Sequence, residues 1–326
     1  MNPPFSMTRR TLALGLSGAL FSLGAAAQGY PAKPIRWVVG FPPGGGTDVL
    51  ARTVAAPMST GLGQQVLVDN RAGAAGMIAA EAVARAEPDG YTLLTADIAI
   101  LALNPAIYPK VRYNPLTDFA NIGLMARFPL LIVTHPSSGI RSIQQLVADG
   151  RKSASLTYAS AGVGTPHHMA MEVLLSTTGA KATHVPYKGD APALQDVAGG
   201  QIPIAVVSPS LTLPFVKEGR LTPLAVTSDQ RMPQLPDVPT LKELGYAASG
   251  VYAWQGLVAP KGTPASVVAA LSSQMRKAIE QPAVRQKLAD LGMEAIGSDA
   301  AEMDRYVREQ IGFWAQLIPA RGIKAD

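Results

Sequence analysis

A glycine-rich loop is the strongest indication of a binding site in this 326-residue chain. Residues 41–48 read FPPGGGTD and lie between an apolar, strand-like stretch and a helical one. Glycine lets the backbone approach a ligand closely, and a helix that starts here presents unpaired N–H groups, with Thr47 as the predicted N-cap. The loop therefore favours an anion, and a tight turn without a ligand stays open as the alternative. Val49 breaks the G-x-G-x-x-G pattern and no Gly-Lys-Ser/Thr sequence follows, so the motif does not predict nucleotide binding.

A second loop of the same type lies at residues 158–168, which read YASAGVGTPHH. Like the first loop, it joins a predicted strand to a predicted helix, here through Gly-x-Gly-Thr. One such loop alone is a weak signal. Two of them, on opposite sides of a cleft, can hold a carboxylate from both sides.

The histidines of the second loop raise an enzymatic alternative. His168 and Glu172 stand four positions apart on a predicted helix, a spacing that suits two metal ligands, and His184 would have to supply the third. The sequence contains no H-E-x-x-H motif and no G-x-S-x-G elbow to provide a nucleophile for acyl transfer. A histidine at a helix start that bonds to its own loop is the simpler interpretation.

Polar residues also follow other predicted strands. Asp97 comes directly after a strand-like run and can accept a hydrogen bond from a ligand hydroxyl or ammonium, or serve as an ordinary loop residue. Tyr187 and Lys188 end another strand, where Lys188 would attract anions or simply be solvated.

Strand-like runs alternate with helical runs from residue 35 onward, and this frame has to position the candidate residues. The predicted strands are 35–40, 65–70, 91–96, 156–159, 184–187, 204–207 and 221–227; the predicted helices are 48–62, 77–86, 143–150, 168–177, 191–199 and 211–219. Further helices are expected at 264–281, 282–291 and 298–316. The alternation predicts an α/β fold of βαβ units, with mostly parallel sheets flanked by helices.

Two extended crossings, near residues 125–135 and 245–255, suggest an inserted lobe. Residues 28–130 and 251–326 would form lobe 1, and residues 131–250 would form lobe 2, joined by the two hinge crossings. The crevices of two such lobes face each other and make a cleft that closes on a small ligand.

The N-terminal segment and the overall composition predict an exported protein. Residues 1–27 combine Arg9-Arg10, an apolar run and three alanines, which is typical of a signal peptide cleaved before Gln28; a twin-arginine signal is the alternative. We therefore expect the mature chain in the periplasm. The chain has no cysteine, so Cys-ligated metals are excluded. Its formal charge of +5 suits an anionic ligand, but there is no cluster of basic residues and aromatics that would indicate nucleic-acid binding.

Several motifs together resemble the Bug-type substrate-binding proteins, the extracytoplasmic receptors of tripartite tricarboxylate transport. The matching segments are FPPGGGTD (41–48), VDNRAGAAG (68–76), PDGYTLL (88–94), SAGVGT (160–165), HVPYKG (184–189) and LPDVPT (235–240). The resemblance implies a two-lobed periplasmic binding protein fold without catalysis, in which loops 44–48 and 160–165 hold the ligand carboxylate through backbone N–H groups and water. One departure is that Pro203 and Val207 stand where such proteins usually have acids, which disfavours a ligand amino group unless Asp97 supplies the charge.

The sequence thus predicts a monomeric receptor, without cofactor or metal, that delivers a small carboxylate to the membrane components of a tripartite tricarboxylate transporter. A metal-dependent periplasmic enzyme and a ligand receptor for a sensor protein are the alternatives. The predicted ligand-binding residues are Phe41, Pro43, Gly44, Gly45, Gly46, Thr47, Asp48, Asp97, Ser160, Gly162, Val163, Gly164, Thr165, His168, Tyr187 and Ser208.

Overall fold

The computed structural model describes residues 29–153, 155–246 and 250–323. The predicted signal peptide, residues 1–27, lies outside these residues. The elements up to the first crossing are β1 (Ile35–Val39), α1 (Gly46–Leu62), β2 (Val66–Asn70), α2 (Met77–Ala84), β3 (Thr92–Asp97), α3 (Asn104–Ile107) and β4 (Phe119–Pro129). Those that follow are β5 (Leu131–Thr134), α4 (Ile143–Lys152), β6 (Thr157–Ser160), α5 (Pro166–Thr178), β7 (Thr183–Pro186), α6 (Asp190–Ala198), β8 (Ile204–Val207), α7 (Pro209–Lys217), β9 (Thr222–Val226), β10 (Tyr252–Pro260), α8 (Ala265–Glu280), α9 (Pro282–Asp290), β11 (Glu294–Ala295) and α10 (Ala300–Ala320).

The described strands form two sheets, with the orders β11-β4-β10-β3-β1-β2 and β7-β6-β8-β5-β9. In the first sheet β1 is parallel to β2 and β3, and in the second β6 is parallel to β7 and β8. The predicted α/β fold is confirmed, but both sheets are mixed. The strands β5 and β10, which the chain enters directly after changing sheets, run antiparallel to their neighbours because no helical crossover precedes them.

The two crossings between the sheets are bound to each other through Thr227, whose side chain is fully buried. Its hydroxyl accepts a hydrogen bond from the Leu130 N–H (2.9 Å) at the first crossing. The same hydroxyl donates to the Val251 carbonyl oxygen (2.5 Å) at the second crossing. The division into lobe 1 and lobe 2 at residues 130/131 and 250/251 stays a prediction.

Apolar residues cover both faces of the second sheet. In β8, Ile204 and Val206 join the large core cluster, whereas Ala205 and Val207 join a smaller cluster on the opposite face. Successive residues of a strand point to opposite faces, so a fully apolar strand is buried on both sides. Among the described residues, no helix is both long enough and apolar enough to span a membrane.

One helical region was not predicted from the sequence. A π-helical turn, Ala99–Leu103, leads directly into α3 after the end of β3, and all of its residues are buried. The stretch AILAL is uniformly apolar, so it carries no period that would distinguish helix from strand. The turn begins two residues after Asp97, and its Ile100 N–H donates a hydrogen bond to the Asp97 carboxylate.

Candidate ligand-binding site

A small cavity of about 30 Å³ lies between the two sheets and has room for one or two water molecules. From the side of the first sheet it is lined by Phe41, Pro42, Pro43, Gly45, Gly46, Thr47, Asp97, Phe128, Ala253 and Gln255. From the side of the second sheet it is lined by Ala161, Thr165, Pro166, His167, Gly189, Asp190 and Ala191. A carboxylate with several carbon atoms needs more room, so the two sides have to separate to admit it.

Helices that follow strands of both sheets begin at this cavity. The N-cap residues of α1, α5 and α6 are Gly45, Thr165 and Gly189, and all of them line it. The first N–H groups of a helix have no partner within the helix, and the helix start carries partial positive charge. The cavity is therefore a place where backbone groups from both sides attract an anion.

The first loop is packed so closely on both sides of the cleft that a side chain at position 46 would be crowded. A Cβ on Gly46 would lie 3.2 Å from a ring carbon of Phe128 and 3.3 Å from the Ser208 hydroxyl. The prediction that Thr47 caps α1 was wrong, because the N-cap is Gly45 and no side chain caps this helix. Glycine at the N-cap leaves the first N–H groups without a competing side chain.

Asp48 holds the first loop in shape and does not line the cavity. Its carboxylate accepts hydrogen bonds from the Gly44 N–H (2.9 Å), the Arg52 guanidinium (3.0 Å) and the Asn70 amide (2.9 Å). Burial would raise the pKa of Asp48, but these hydrogen bonds and the charge of Arg52 outweigh burial and lower it. The side chain is therefore ionised and fully engaged in positioning the loop.

The second loop is tied together by Thr165, the N-cap of α5. Its side chain accepts a hydrogen bond from the His168 N–H (3.4 Å) and donates one to the Gly162 carbonyl oxygen (2.7 Å). The loop also touches the first sheet's side, since the Tyr108 hydroxyl donates to the Val163 carbonyl oxygen (3.2 Å). The two sides of the cavity are thus in direct contact in this structure.

The predicted ligand-binding residues divide into three groups. Those that line the cavity are Phe41, Pro43, Gly45, Gly46, Thr47, Asp97 and Thr165. A shallower groove beside the cavity is lined by Phe41, Gly162, Val163 and Tyr187. The remaining predicted residues line neither the cavity nor the groove and support their walls: Gly44, Asp48, Ser160, Gly164, His168 and Ser208. Direct ligand contact by any of these residues stays a prediction.

Asp97 is 3% exposed and lies at the end of β3. One carboxylate oxygen, Oδ1, accepts a hydrogen bond from the Ile100 N–H (3.0 Å) in the π-helical turn. Burial raises the pKa of Asp97 to about 7, against the lowering effects of that hydrogen bond and of nearby His167. Its protonation state therefore changes near neutral pH.

His167 and Asp190 form a buried pair that sequence analysis did not place in the ligand site. His167 Nε2 lies 3.0 Å from Asp190 Oδ1, and the Ser208 hydroxyl donates to the other oxygen of Asp190. Burial would raise the pKa of Asp190, but His167 and the Ser208 hydrogen bond lower it. A signal was available, because Gly189 and Asp190 stand between a strand and a helix, as residues 45–48 do.

Gln255 was also missed, and no local pattern marks it. It lies in the middle of β10, is 1% exposed, and donates from Nε2 to the Thr47 hydroxyl (3.1 Å). Its place in the cavity follows from the pairing of β10 with β3, which sets Gln255 opposite Asp97. That register depends on the whole first sheet.

The remaining histidines form an internal stack behind the second loop. The rings of His168 and His184 are 4.2 Å apart, and His168 Nδ1 accepts from the Gly164 N–H (3.4 Å), which confirms the interpretation of a histidine that bonds to its own loop. Burial and the neighbouring His184 lower the pKa of His168 to about 3, so it is neutral at physiological pH. Within the described ranges, no group of three or more His, Cys, Asp or Glu side chains is arranged to hold a metal ion.

Known proteins resemble this chain along almost its whole length. A model described as the tripartite tricarboxylate transporter family receptor matches residues 50–323. BugT of Bordetella pertussis is 33% identical over 98% of this chain and 99% of its own length. A protein of R. palustris, solved with adipate, superposes with a TM-score of 0.87 at 34% identity, covering 90% of this chain and 99% of that one. MatC from Rhodopseudomonas palustris, solved with bound malate, superposes with a TM-score of 0.85 at 31% identity, covering 89% of this chain and 100% of that one.

Proposed function

The chain belongs to the tripartite tricarboxylate transporter receptor family, and on this premise we propose that it binds a small carboxylate in the periplasm and delivers it to the membrane components of such a transporter. Family membership was expected from the resemblance to Bug-type proteins and is confirmed. It accounts for the fold, since two helix-flanked sheets with a cleft between them suit a protein that closes on a ligand.

The observation that carries the proposal is the meeting of α1, α5 and α6 at one cavity. A bound carboxylate would accept hydrogen bonds from backbone N–H groups at these helix starts, on both sides of the cleft. A helix N-terminus contributes about 0.3–1 kcal/mol to an exposed anion and up to about 2 kcal/mol to a partly buried one. Contacts from both sides would also favour the closed form, because the ligand links the two walls.

The solved relatives support a carboxylate as the ligand class. Adipate and malate both carry two carboxylates, and each is bound by a protein that shares this fold over nearly its full length. Side chains around the cavity would select among carboxylates, whereas recognition by backbone N–H groups at the helix starts does not depend on side-chain identity.

We propose that the ligand is released unchanged. The family consists of solute-binding receptors, and the histidines of the second loop have structural partners. His168 is stacked on His184 and bonded to its loop. His167 and Asp190 are paired with each other.

Export and assembly complete the proposal. The predicted cleavage before Gln28 would release a chain that starts at that residue, and intact-mass spectrometry of protein from the periplasmic fraction would detect it. We expect a monomer, and delivery to a sensor protein stays an alternative to delivery to a transporter.

The test is thermal unfolding of periplasmic protein, stripped of ligand by denaturation and refolding, against a panel of carboxylates that includes adipate, malate, succinate, citrate, benzoate and nicotinate. A ligand at one hundred times its Kd stabilises the native state by about 2.7 kcal/mol, which corresponds to a rise in Tm of roughly five degrees or more. Recovery of the ligand unchanged after incubation would support the receptor. No shift with any carboxylate, or conversion of the ligand, would contradict the proposal.

A further inference from the structure

Two side chains with hydrogen-bond acceptors lie next to each other in the cavity wall. In the antiparallel pair of β3 and β10, Asp97 stands directly opposite Gln255. Directly opposed residues of an antiparallel pair point to the same face of the sheet. Both side chains are at least 97% buried and both line the cavity. A ligand between the sheets therefore meets the two side chains next to each other.

Gln255 presents its carbonyl oxygen to the cavity. Its Nε2 donates to the Thr47 hydroxyl (3.1 Å), so the carbonyl oxygen is the other end of the amide. Its Oε1 is buried and has no hydrogen-bond partner in the described protein. Buried polar atoms without a partner are uncommon in native proteins, so this oxygen indicates a donor that comes from outside the chain.

Asp97 lacks a cation of its own. Among the described residues that line the cavity there is no Lys or Arg. The imidazole of His167 lies 3.0 Å from Asp190, so two buried carboxylates share one histidine. A buried carboxylate is costly unless it is paired, and burial raises the pKa of Asp97 to about 7.

The opposite wall presents the N-termini of α5 and α6, while that of α1 lies on the same side as Asp97 and Gln255, so backbone donors for a carboxylate face the cavity from both sides. We propose that the ligand is a zwitterion, a small carboxylate that also carries an ammonium group, and that Asp97 and Gln255 Oε1 accept hydrogen bonds from this ammonium. The inference rests on the proposed function, which supplies the carboxylate end. A neutral hydroxyl would satisfy the acceptors but would leave the negative charge of the cavity uncompensated.

The absence of an acid at position 207 does not argue against an amino group. Val207 packs into the smaller core cluster of the second sheet, on the face away from the larger cluster, and it does not line the cavity. Asp97 and Asp190 bring two carboxylates to the cavity from other positions. Acidic side chains therefore reach the cavity without an acid at position 207.

The test uses matched sets of ligands that differ in one group. Isothermal titration of ligand-free protein would compare aspartate, malate and succinate; glutamate, 2-hydroxyglutarate and glutarate; leucine, 2-hydroxyisocaproate and isocaproate; and phenylalanine, 3-phenyllactate and 3-phenylpropionate. We expect that in the set that binds, the amino member has a Kd at least tenfold lower than the hydroxy and unsubstituted members.

Variants then assign the preference to the acceptors. Asp97→Asn should reduce the ratio of affinities for the amino and unsubstituted members at least tenfold, and Gln255→Leu at least threefold. Asp237→Asn, a change at an exposed aspartate outside the cavity, is the control and should keep the ratio.

The outcomes separate this inference from the proposed function. Tighter binding of a hydroxy or unsubstituted carboxylate, or an unchanged ratio in Asp97→Asn, would overturn the zwitterion and leave the carboxylate receptor intact. Failure of every carboxylate in the four sets and in the earlier panel would overturn both. If Asp97→Asn does not fold, the Gln255→Leu ratio decides.

Discussion

Replacing Asp97 by Asn should change how the stability of the free protein depends on pH. The usual pKa of an aspartate is 3.8, whereas that of Asp97 is raised to about 7 by burial. Between these values the native state keeps a proton that the unfolded state has lost, so the free energy of unfolding falls as pH rises. At about 1.36 kcal/mol per pH unit, the free energy of unfolding falls by about 4 kcal/mol between the two pKa values. Between pH 5 and pH 8 it falls by about 2–3 kcal/mol.

The assay is urea unfolding of wild type and Asp97→Asn, both free of ligand, at several pH values between 5 and 8. The Asn side chain keeps the shape of Asp but does not titrate, so the variant should lack this loss. Relative to wild type, it should gain about 2–3 kcal/mol from pH 5 to pH 8. Comparing the two proteins cancels the titration of groups elsewhere in the chain.

Neighbouring groups that face Asp97 provide internal checks. His167 lowers the pKa of Asp97, so Asp97→Asn in a His167→Gln background should show a larger pH-dependent gain. Tyr113 also feels the charge of Asp97, but burial raises the pKa of this tyrosine far above the range of the assay. Asp237→Asn, at an exposed site, should show no such gain. A gain below about 0.5 kcal/mol for Asp97→Asn across this range would refute the reasoning about burial.

Three further changes probe the frame of the site. Gly46→Ala places a Cβ 3.3 Å from the Ser208 hydroxyl across the cleft and 3.2 Å from Phe128 on its own side, and it should weaken ligand binding about tenfold by hindering closure. Gly312→Ala, at an exposed position of α10 where a Cβ meets nothing within 4 Å, should leave affinity unchanged and stabilise the fold by about 0.5–1 kcal/mol. Equal affinities of the two variants would contradict the first expectation. Thr227→Val removes the buried link between the two crossings and should lower the free energy of unfolding by about 1–3 kcal/mol, measured in urea. Asp48→Asn should lower the free energy of unfolding by about 1–3 kcal/mol at pH 7. Because the native pKa of Asp48 is lowered, this loss should become smaller as the pH falls through that native pKa. A loss that does not depend on pH would argue against the ion pair with Arg52.

The sequence predicted the parts of the site that depend on local patterns. Glycines beside a strand end, followed by a helical period, mark residues 44–48 and 160–165 as loops at helix starts, and both loops are found there. Glycine also explains the error at Thr47. A threonine near a helix start is normally an N-cap, but this helix begins two residues earlier than that prediction requires, with Gly45 as its N-cap.

The other parts of the site depend on tertiary structure and leave no local signal. Gln255 enters the cavity because β10 pairs with β3 in one register, and a shift by one residue would turn it to the other face. His167 and Asp190 lie 23 positions apart in sequence, on helices that follow different strands, and meet only when β6 and β7 pair. The mixed direction of the sheets has the same origin, since it is set by how the chain changes sheets.

The pH dependence of binding distinguishes a zwitterion from a plain carboxylate. In the free protein, Asp97 is largely protonated below pH 7. A ligand ammonium pairs with the ionised form, so binding below pH 7 must release a proton, and affinity should rise as pH increases from 5 to 8. The ionised form repels a ligand without a cation, so the affinity for such a ligand should fall over the same range.

The same burial therefore has opposite consequences for the free and the bound protein. It makes ionised Asp97 unfavourable when the cleft holds no cation, and it strengthens the attraction once a cation enters, because water no longer screens the pair. Titration calorimetry at pH 6 in two buffers with different ionisation enthalpies would count the protons released on binding. Release of close to one proton by an amino carboxylate, lost in Asp97→Asn, is the expected result. Proton uptake by wild type would show instead that the ligand faces Asp97 with an acceptor.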